Sequence, residues 1–192
     1  IDAKRGYLTM FKQILSALEN LDTKYVFFCE HDVVYHPSHF NFTPPKDDTW
    51  YYNINLVKVN AETGQTLKVD ECKQVSGICV NRELAVTHYR ERVKRTESWT
   101  PENSPWTFDK FIRRMGFEPG THNRSERVDM SVSETWSSEF PNIDIRHGGN
   151  LTSTRWNPED YVNQKYTKGW TLGTIKNTPG WDEKDFGFLK IG

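Results

Sequence analysis

Charge of one sign is missing from this sequence. Lys and Arg number 25 and Asp and Glu 26, for a formal net charge of -1, so no global field draws the chain to nucleic acid or to a membrane surface. Long apolar runs are missing too. Nothing approaches the ~18 residues of a membrane span, and no basic n-region followed by an apolar stretch opens the chain. Neither a transmembrane segment nor a secretory leader is expected. Cysteine is sparse: Cys29, Cys72 and Cys79 form no Cys-x-x-Cys pair. Three thiols in such a pattern point to reduced cysteines and a cytoplasmic location. A zinc site from Cys72, Cys79 and a histidine is the weaker alternative. Apolar residues are also few, at 35%. On the usual tally, which counts Gly and omits Tyr, this becomes roughly 37%, against a norm of about 45–50%. Aromatics are what is abundant, with 7 Trp, 8 Tyr and 11 Phe, and that excludes bulk disorder. At 192 residues the chain has the length of one domain with an appendage, enough to bury a core without staples.

The periodicity is informative in places. Leu8, Phe11, Ile14, Leu15, Leu18 and Leu21 recur at spacings of three and four and predict a helix over Tyr7 to Leu21. Tyr25 to Cys29 is a continuous apolar run and reads as a buried strand of a parallel sheet. Trp50 to Val59 reads as one strand, and Ala61 to Gln65 as a hairpin turn leading to a return strand over Thr66 to Val69. Gln74 to Val80 reads as a strand and Asn81 to Val93 as a helix. A short helix with Ser104 as N-cap and Pro105 at its first position should stop at Gly116. Long loops are expected over Glu118 to Glu139. Asn142 to Arg146 alternates as a strand that ends at His147. Beyond Thr154 the tail is polar. The order predicts a mixed α/β sheet flanked by helices, with a core over 1–154 and an extension over 155–192.

The chemistry concentrates at Glu30-His31-Asp32, directly after the apolar run. Ionisable residues at the carboxyl tip of a buried strand lie where open α/β sheets place ligands. In an extended chain residues 30 and 32 share one face. Two carboxylates on one face suit a hard cation, Mg²⁺ or Mn²⁺, which leaves positions for water and phosphate.

A helix after a Gly/Arg loop, followed by an apolar strand ending in acid-x-Asp, resembles the core of nucleotide-sugar glycosyltransferases with the GT-A fold, closest to a glycosyltransferase family 2-like pattern. The likeness spans about residues 5 to 150. It implies transfer of a sugar from a nucleotide-diphosphate sugar to an acceptor hydroxyl, with a divalent cation as cofactor. By this resemblance Glu30, standing for the usual first Asp, meets the ribose or a metal-bound water. Asp32 binds the metal and the diphosphate, and His147 completes the metal site. Arg5 and Gly6 lie on the donor side, with Arg5 or Arg146 adding a cation. Gln74 to Arg82 resembles the acceptor-side strand. Glu102 takes the place of the catalytic base, with Asp109 as its competitor. The family also has a strand-helix-strand-helix half, carrying most of the base pocket, before the helix that begins near Tyr7. The sequence does not include that half, as a piece of a longer protein would not, so the fold is expected to lack it and Tyr25–Cys29 is expected to form an unpaired or exposed sheet edge.

Two other readings compete. His36-Pro37-Ser38-His39, with Asp32 close by, suits a metal-dependent hydrolase, although Pro37 leaves the geometry open. Trp50, Tyr51, Tyr52 and Trp99 suit a noncatalytic module that stacks on sugar or nucleic acid, with ordinary core packing as the plainer account. Arg90, Arg92, Lys94 and Arg95 form a local basic cluster suited to a phosphate-rich acceptor. The acceptor itself, whether glycan, small molecule or modified nucleic acid, is not written in the residues.

Overall fold

A computed structural model describes residues 5–116, 118–120, 128, 131–149, 155–160 and 168–187. The described elements are helices α1 (Tyr7–Glu19), α2 (Arg82–Ser98) and α3 (Phe108–Met115), and strands β1 (Tyr25–Phe27), β2 (Val33–Val34), β3 (Thr49–Asn53), β4 (Leu56–Asn60), β5 (Gln65–Asp70), β6 (Ile78–Asn81), β7 (Val132–Trp136), β8 (Asn142–Arg146) and β9 (Lys168–Thr174). The fold is mixed α/β. One sheet has the order β1-β6-β3-β7 and the other β2-β8-β4-β5-β9. Strand β1 stands at an edge of the first sheet, where an exposed edge was expected for this segment.

The chain packs as two compact units, and the division falls inside all four strands of the first sheet. The first unit takes Ile1–Val26, Thr43–Tyr51 and Cys79–Glu134 and holds the three helices. Phe11 and Leu18 on α1 are buried, whereas Leu21 lies beyond the helix and is exposed. Asn81 caps α2: its side-chain oxygen accepts from the amides of Glu83 and Leu84, satisfying donors that no helix turn can reach. Helix α2 runs to Ser98, one turn past the expected end near Val93. Helix α3 starts later than expected. Ser104 Oγ accepts from the Trp106 amide in a turn of its own, and Thr107 occupies the cap position. Gly116 ends the helix at φ 78, a conformation that favours glycine.

The second unit takes Phe27–Phe42, Tyr52–Ile78 and Thr135–Gly192. The segment Trp50 to Val59, expected as one strand, is two strands in different sheets. Asn53 breaks it, because its Oδ1 accepts from the Asn55 amide 2.9 Å away and diverts the backbone from the ladder. The expected hairpin is present: β4 and β5 pair antiparallel, Asn60 Oδ1 accepts from the amides of Glu62 and Thr63, and Gly64 sits at φ 69. The stretch from Gln74 is a strand only from Ile78, since Val75–Gly77 forms a 3-10 turn. Gly77 is pressed against β3: a Cβ there would lie 2.7 Å from the Asn53 carbonyl oxygen.

Two regions differ from expectation. The described part of Glu118 to Glu139 contains β7 rather than loop alone. The polar tail contributes β9, which pairs antiparallel with β5 from Gln65↔Thr174 to Asp70↔Lys168. Val57, Val59, Ile143, Ile175 and Phe186 form a core in this unit, with Val34, Ile145 and Trp181 packed against it. The tail therefore covers the apolar face of the second sheet.

Candidate functional site

Strand β1 stops at Phe27, and the Phe28 amide donates to the Ile78 carbonyl. Glu30-His31-Asp32 then forms a turn, closed by the Val33 amide on the Glu30 carbonyl at 3.3 Å. The two acids are gathered by this turn rather than by the alternation of an extended strand. The Glu30 amide donates to Tyr35 Oη at 2.9 Å, which ties the turn to the chain beyond β2.

The turn delivers β2 to β8. They pair antiparallel with Val33↔Asp144, and the Ile145 amide donates to the Asp32 carbonyl at 2.8 Å. On its other side β8 pairs parallel with β4, placing Lys58 opposite Asp144 and Asn60 opposite Arg146. Alternation along β8 now has a definite meaning. Ile143 and Ile145 point into the apolar core, so Asn142, Asp144 and Arg146 take the opposite face. An acid from a distant part of the chain thus joins Glu30 and Asp32.

The electrostatics show that these groups feel one another. Loss of solvation pushes the Glu30 carboxyl above its ordinary range, and the charges of Asp32 and Asp144 push in the same direction. Ser76 and Arg146 oppose this more weakly. The Ser76 side chain is fully buried, and its Oγ closes no hydrogen bond of ordinary geometry. Asp144 is only 3% exposed. Burial raises its carboxyl above the ordinary range, Arg146 and Lys58 pull it back, and Asp32 raises it again. Arg146 Nη1 donates to Asp144 Oδ1 at 3.2 Å. The charges of the three carboxylates thus act on one another, with the Arg146 guanidinium beside Asp144. Of the three only Asp144 is buried, while Asp32 is half-buried and Glu30 exposed, so a cation could reach them from solvent and offset their repulsion.

The other expected residues fall as follows. His147 is exposed at the end of β8, and its Nδ1 accepts from the Gly149 amide at 3.0 Å. A neutral ring so engaged carries its hydrogen on Nε2, so ligation by His147 requires that turn to rearrange. Among the described residues no three of His, Cys, Asp and Glu form a ready-made metal cage, Cys72 and Cys79 included. Arg5 and Gly6 are exposed, and a Cβ on Gly6 would meet nothing within 4 Å. Glu102 lies in an exposed turn and Asp109 in the first turn of α3, also exposed.

His36 and His39 hold structure. His36 Nδ1 accepts from the Ser38 amide at the start of the 3-10 turn Pro37–Asn41. His39 is fully buried. Its Nδ1 lies 2.9 Å from Asn53 Nδ2 and 3.0 Å from Asn142 Nδ2, and both amides are donors. Phe27, Tyr35, Phe40 and Trp136 surround the ring. With its Nδ1 lone pair taken by amides and its surroundings apolar, His39 is poorly suited to metal. Trp50, Tyr51 and Tyr52 are core residues at 0–2% exposure, closed to an external ligand.

Burial holds the His39 pKa down at about 4, from 6.5. The ring is therefore neutral in the fold while the unfolded chain takes up a proton near pH 6.5. Stability should fall as pH drops through the window from 6.5 to 4, by up to about 1.4 kcal/mol per pH unit and about 3 kcal/mol in all. His39→Gln keeps an acceptor for the two asparagines and cannot titrate. Urea unfolding of both proteins from pH 7 to pH 4 checks this. An equally steep decline in the variant would assign the effect to other groups.

Sequence reasoning missed Asp144, Ser76 and Tyr35. The alternation of Asn142 to Arg146 contained the signal for Asp144, since its polar members share a face. Compared with models of protein families, with curated proteins and with solved structures, the chain matches none. No helix among the described residues is long and apolar enough to cross a membrane.

Proposed function

We propose that this chain transfers a sugar from a nucleotide-diphosphate sugar to an acceptor hydroxyl, on a GT-A-like α/β scaffold, with Mn²⁺ or Mg²⁺ as cofactor. The observation that carries the reading is the convergence of Glu30, Asp32 and Asp144, with Arg146 alongside, at the turn that follows β1. The donor set is all oxygen and its charges repel, which fits a hard cation. Mg²⁺ commonly takes one or two carboxylates and completes its shell with water and substrate phosphates, so Glu30 and Asp32 would suffice as its protein ligands.

Asp32 and Glu30 would hold such a cation, with Asp144 behind them. When bound, the cation supplies positive charge against the leaving diphosphate. Arg146 adds a guanidinium, whose fork suits phosphate oxygens. In the reaction the acceptor oxygen bonds to the anomeric carbon, the bond from that carbon to the phosphate oxygen breaks, and the electron pair leaves with the diphosphate. The acceptor proton passes to a carboxylate. Glu102 is proposed for that role from sequence order, with Asp109 as competitor. Three free cysteines support a cytoplasmic setting.

The test measures nucleoside diphosphate released from a panel of uridine, guanosine and thymidine diphosphate sugars. Release should require Mn²⁺ or Mg²⁺ and stop on chelation. Release that ignores chelation, or no release from any donor, would overturn the reading.

A further inference from the structure

Two sequence features remain unused by the proposed transfer: Trp99, and the basic cluster from Arg90 to Arg95. The structure sorts that cluster. Arg92 is buried, Arg90 pairs with Glu19, and Arg95 turns toward a cleft that Trp99 also lines. The cleft has a volume of about 350 Å³ and is lined among others by Arg95, Trp99, Asn103, Ser104, Trp106 and Phe111. That lies within the roughly 300–1,000 Å³ of small-ligand sites.

Its walls are fixed in advance. Trp99 Nε1 donates to the Trp106 carbonyl at 3.3 Å, and its ring stands edge-on to Phe108 with centroids 5.2 Å apart. Asn103 Nδ2 donates to the Ser98 carbonyl at 2.7 Å, while its Oδ1 accepts from the Thr100 amide at 2.9 Å. Walls already bonded need little ordering when a ligand arrives.

Among the described residues one cation lines the cleft and two stand next to it. Arg95 of α2 lines it directly, while Lys110 Nζ at 3.9 Å and Arg114 Cζ at 4.5 Å from the centre of the Trp106 ring flank it through that indole rather than lining it. Arg95 Nε also donates to Glu91 at 2.8 Å, which fixes the guanidinium and offsets part of its charge. Cations on the Trp106 ring leave little open face for a flat base. Serine and asparagine groups between aromatic walls suit a ring that carries hydroxyls.

We infer that this cleft binds a sugar unit bearing an anionic substituent, a carboxylate or a phosphate. Carboxylate and phosphate share the chemistry that Arg95 in the lining and Lys110 and Arg114 beside it read, and the Trp99 and Phe111 walls take the apolar face of the sugar ring.

The indole N–H signals of Trp99 and Trp106 in the full chain provide the readout, without divalent cation. The probes are glucuronic acid, glucose 6-phosphate, glucose and adenosine monophosphate. Both acidic sugars should shift the two signals saturably, and glucose should bind at least about tenfold more weakly. Lys110→Glu, at an exposed position, should weaken the acidic sugars about tenfold or more and leave glucose unchanged. Asp32→Asn should bind them as the parent does, so failure here is separate from failure of the proposed transfer. Equal affinity for glucose, indifference to Lys110→Glu, tighter binding of adenosine monophosphate, or no saturation by about 50 mM would each overturn the assignment.

Discussion

Asp144→Asn should make the cation-free protein more stable while lowering its cation-dependent activity about 10–100-fold, the usual cost of losing a group that supports a metal site. The two effects share a cause. Asp144 is buried and its carboxyl is raised above 3.8, first by loss of solvation. A carboxylate whose folded pKa lies above its unfolded value favours the fold below the unfolded pKa. That advantage is lost as pH rises through the folded pKa, so at pH 7 the ionised group works against folding. Asparagine removes this penalty, and its Oδ1 still accepts from Arg146. Glu30→Gln should act in the same direction, since Glu30 is also raised above its usual 4.5. Asp32→Asn should reduce donor turnover about 10³-fold, as expected for a group that meets the developing charge itself. Thermal unfolding in chelator, set beside donor turnover in Mn²⁺, checks all three. If Asp144→Asn unfolds earlier than the parent and keeps full turnover, Asp144 is a structural partner of Arg146 and the site does not include it.

How far the site was legible follows from chain distance. Glu30 and Asp32 are neighbours in sequence and announce themselves after an apolar run. Asp144 is brought in by pairing of β8 with β2 and β4, and only that register says which face of β8 meets the turn. The helices were read well where a stripe repeats, as over α1, and their ends less well where a side chain intervenes, as at Ser104. Asn53 shows a further limit. Within Trp50 to Val59 it reads as one polar residue in a β-rich run. In the fold its side chain bonds the Asn55 amide, Ser138 and His39, and it sends the chain from one sheet to the other. The His36/His39 spacing suggested a metal pair because both rings are ligands by type. Burial and two asparagine donors make His39 a structural residue instead, and neither is visible in the spacing.

Arg92→Met should destabilise the protein by about 3–5 kcal/mol, because it removes one partner of a buried ion pair and leaves the other. Arg92 is 1% exposed and Glu118 5%. Arg92 Nη1 donates to Glu118 Oε1 at 2.9 Å and Nη2 to the Gly116 carbonyl at 2.5 Å, while Tyr89 Oη donates to the same Glu118 oxygen at 2.6 Å. The guanidinium lies 4.4 Å from the centre of the Phe11 ring. It therefore links α1 and α2 to the end of α3, where Gly116 closes the helix. Methionine fills much of the volume and keeps the contact with Phe11, so the loss reads charge and hydrogen bonding rather than a cavity. For a chain of this size the midpoint of thermal unfolding should fall by roughly 10 °C. Glu118→Gln alone should also be costly, because it leaves the Arg92 charge without its counterpart. The double variant should cost clearly less than the sum of the two, since neither charge then remains unpaired. Urea unfolding of the four proteins measures the coupling. A single-variant loss under about 1 kcal/mol, or simple additivity, would show that the pair does not hold this unit together.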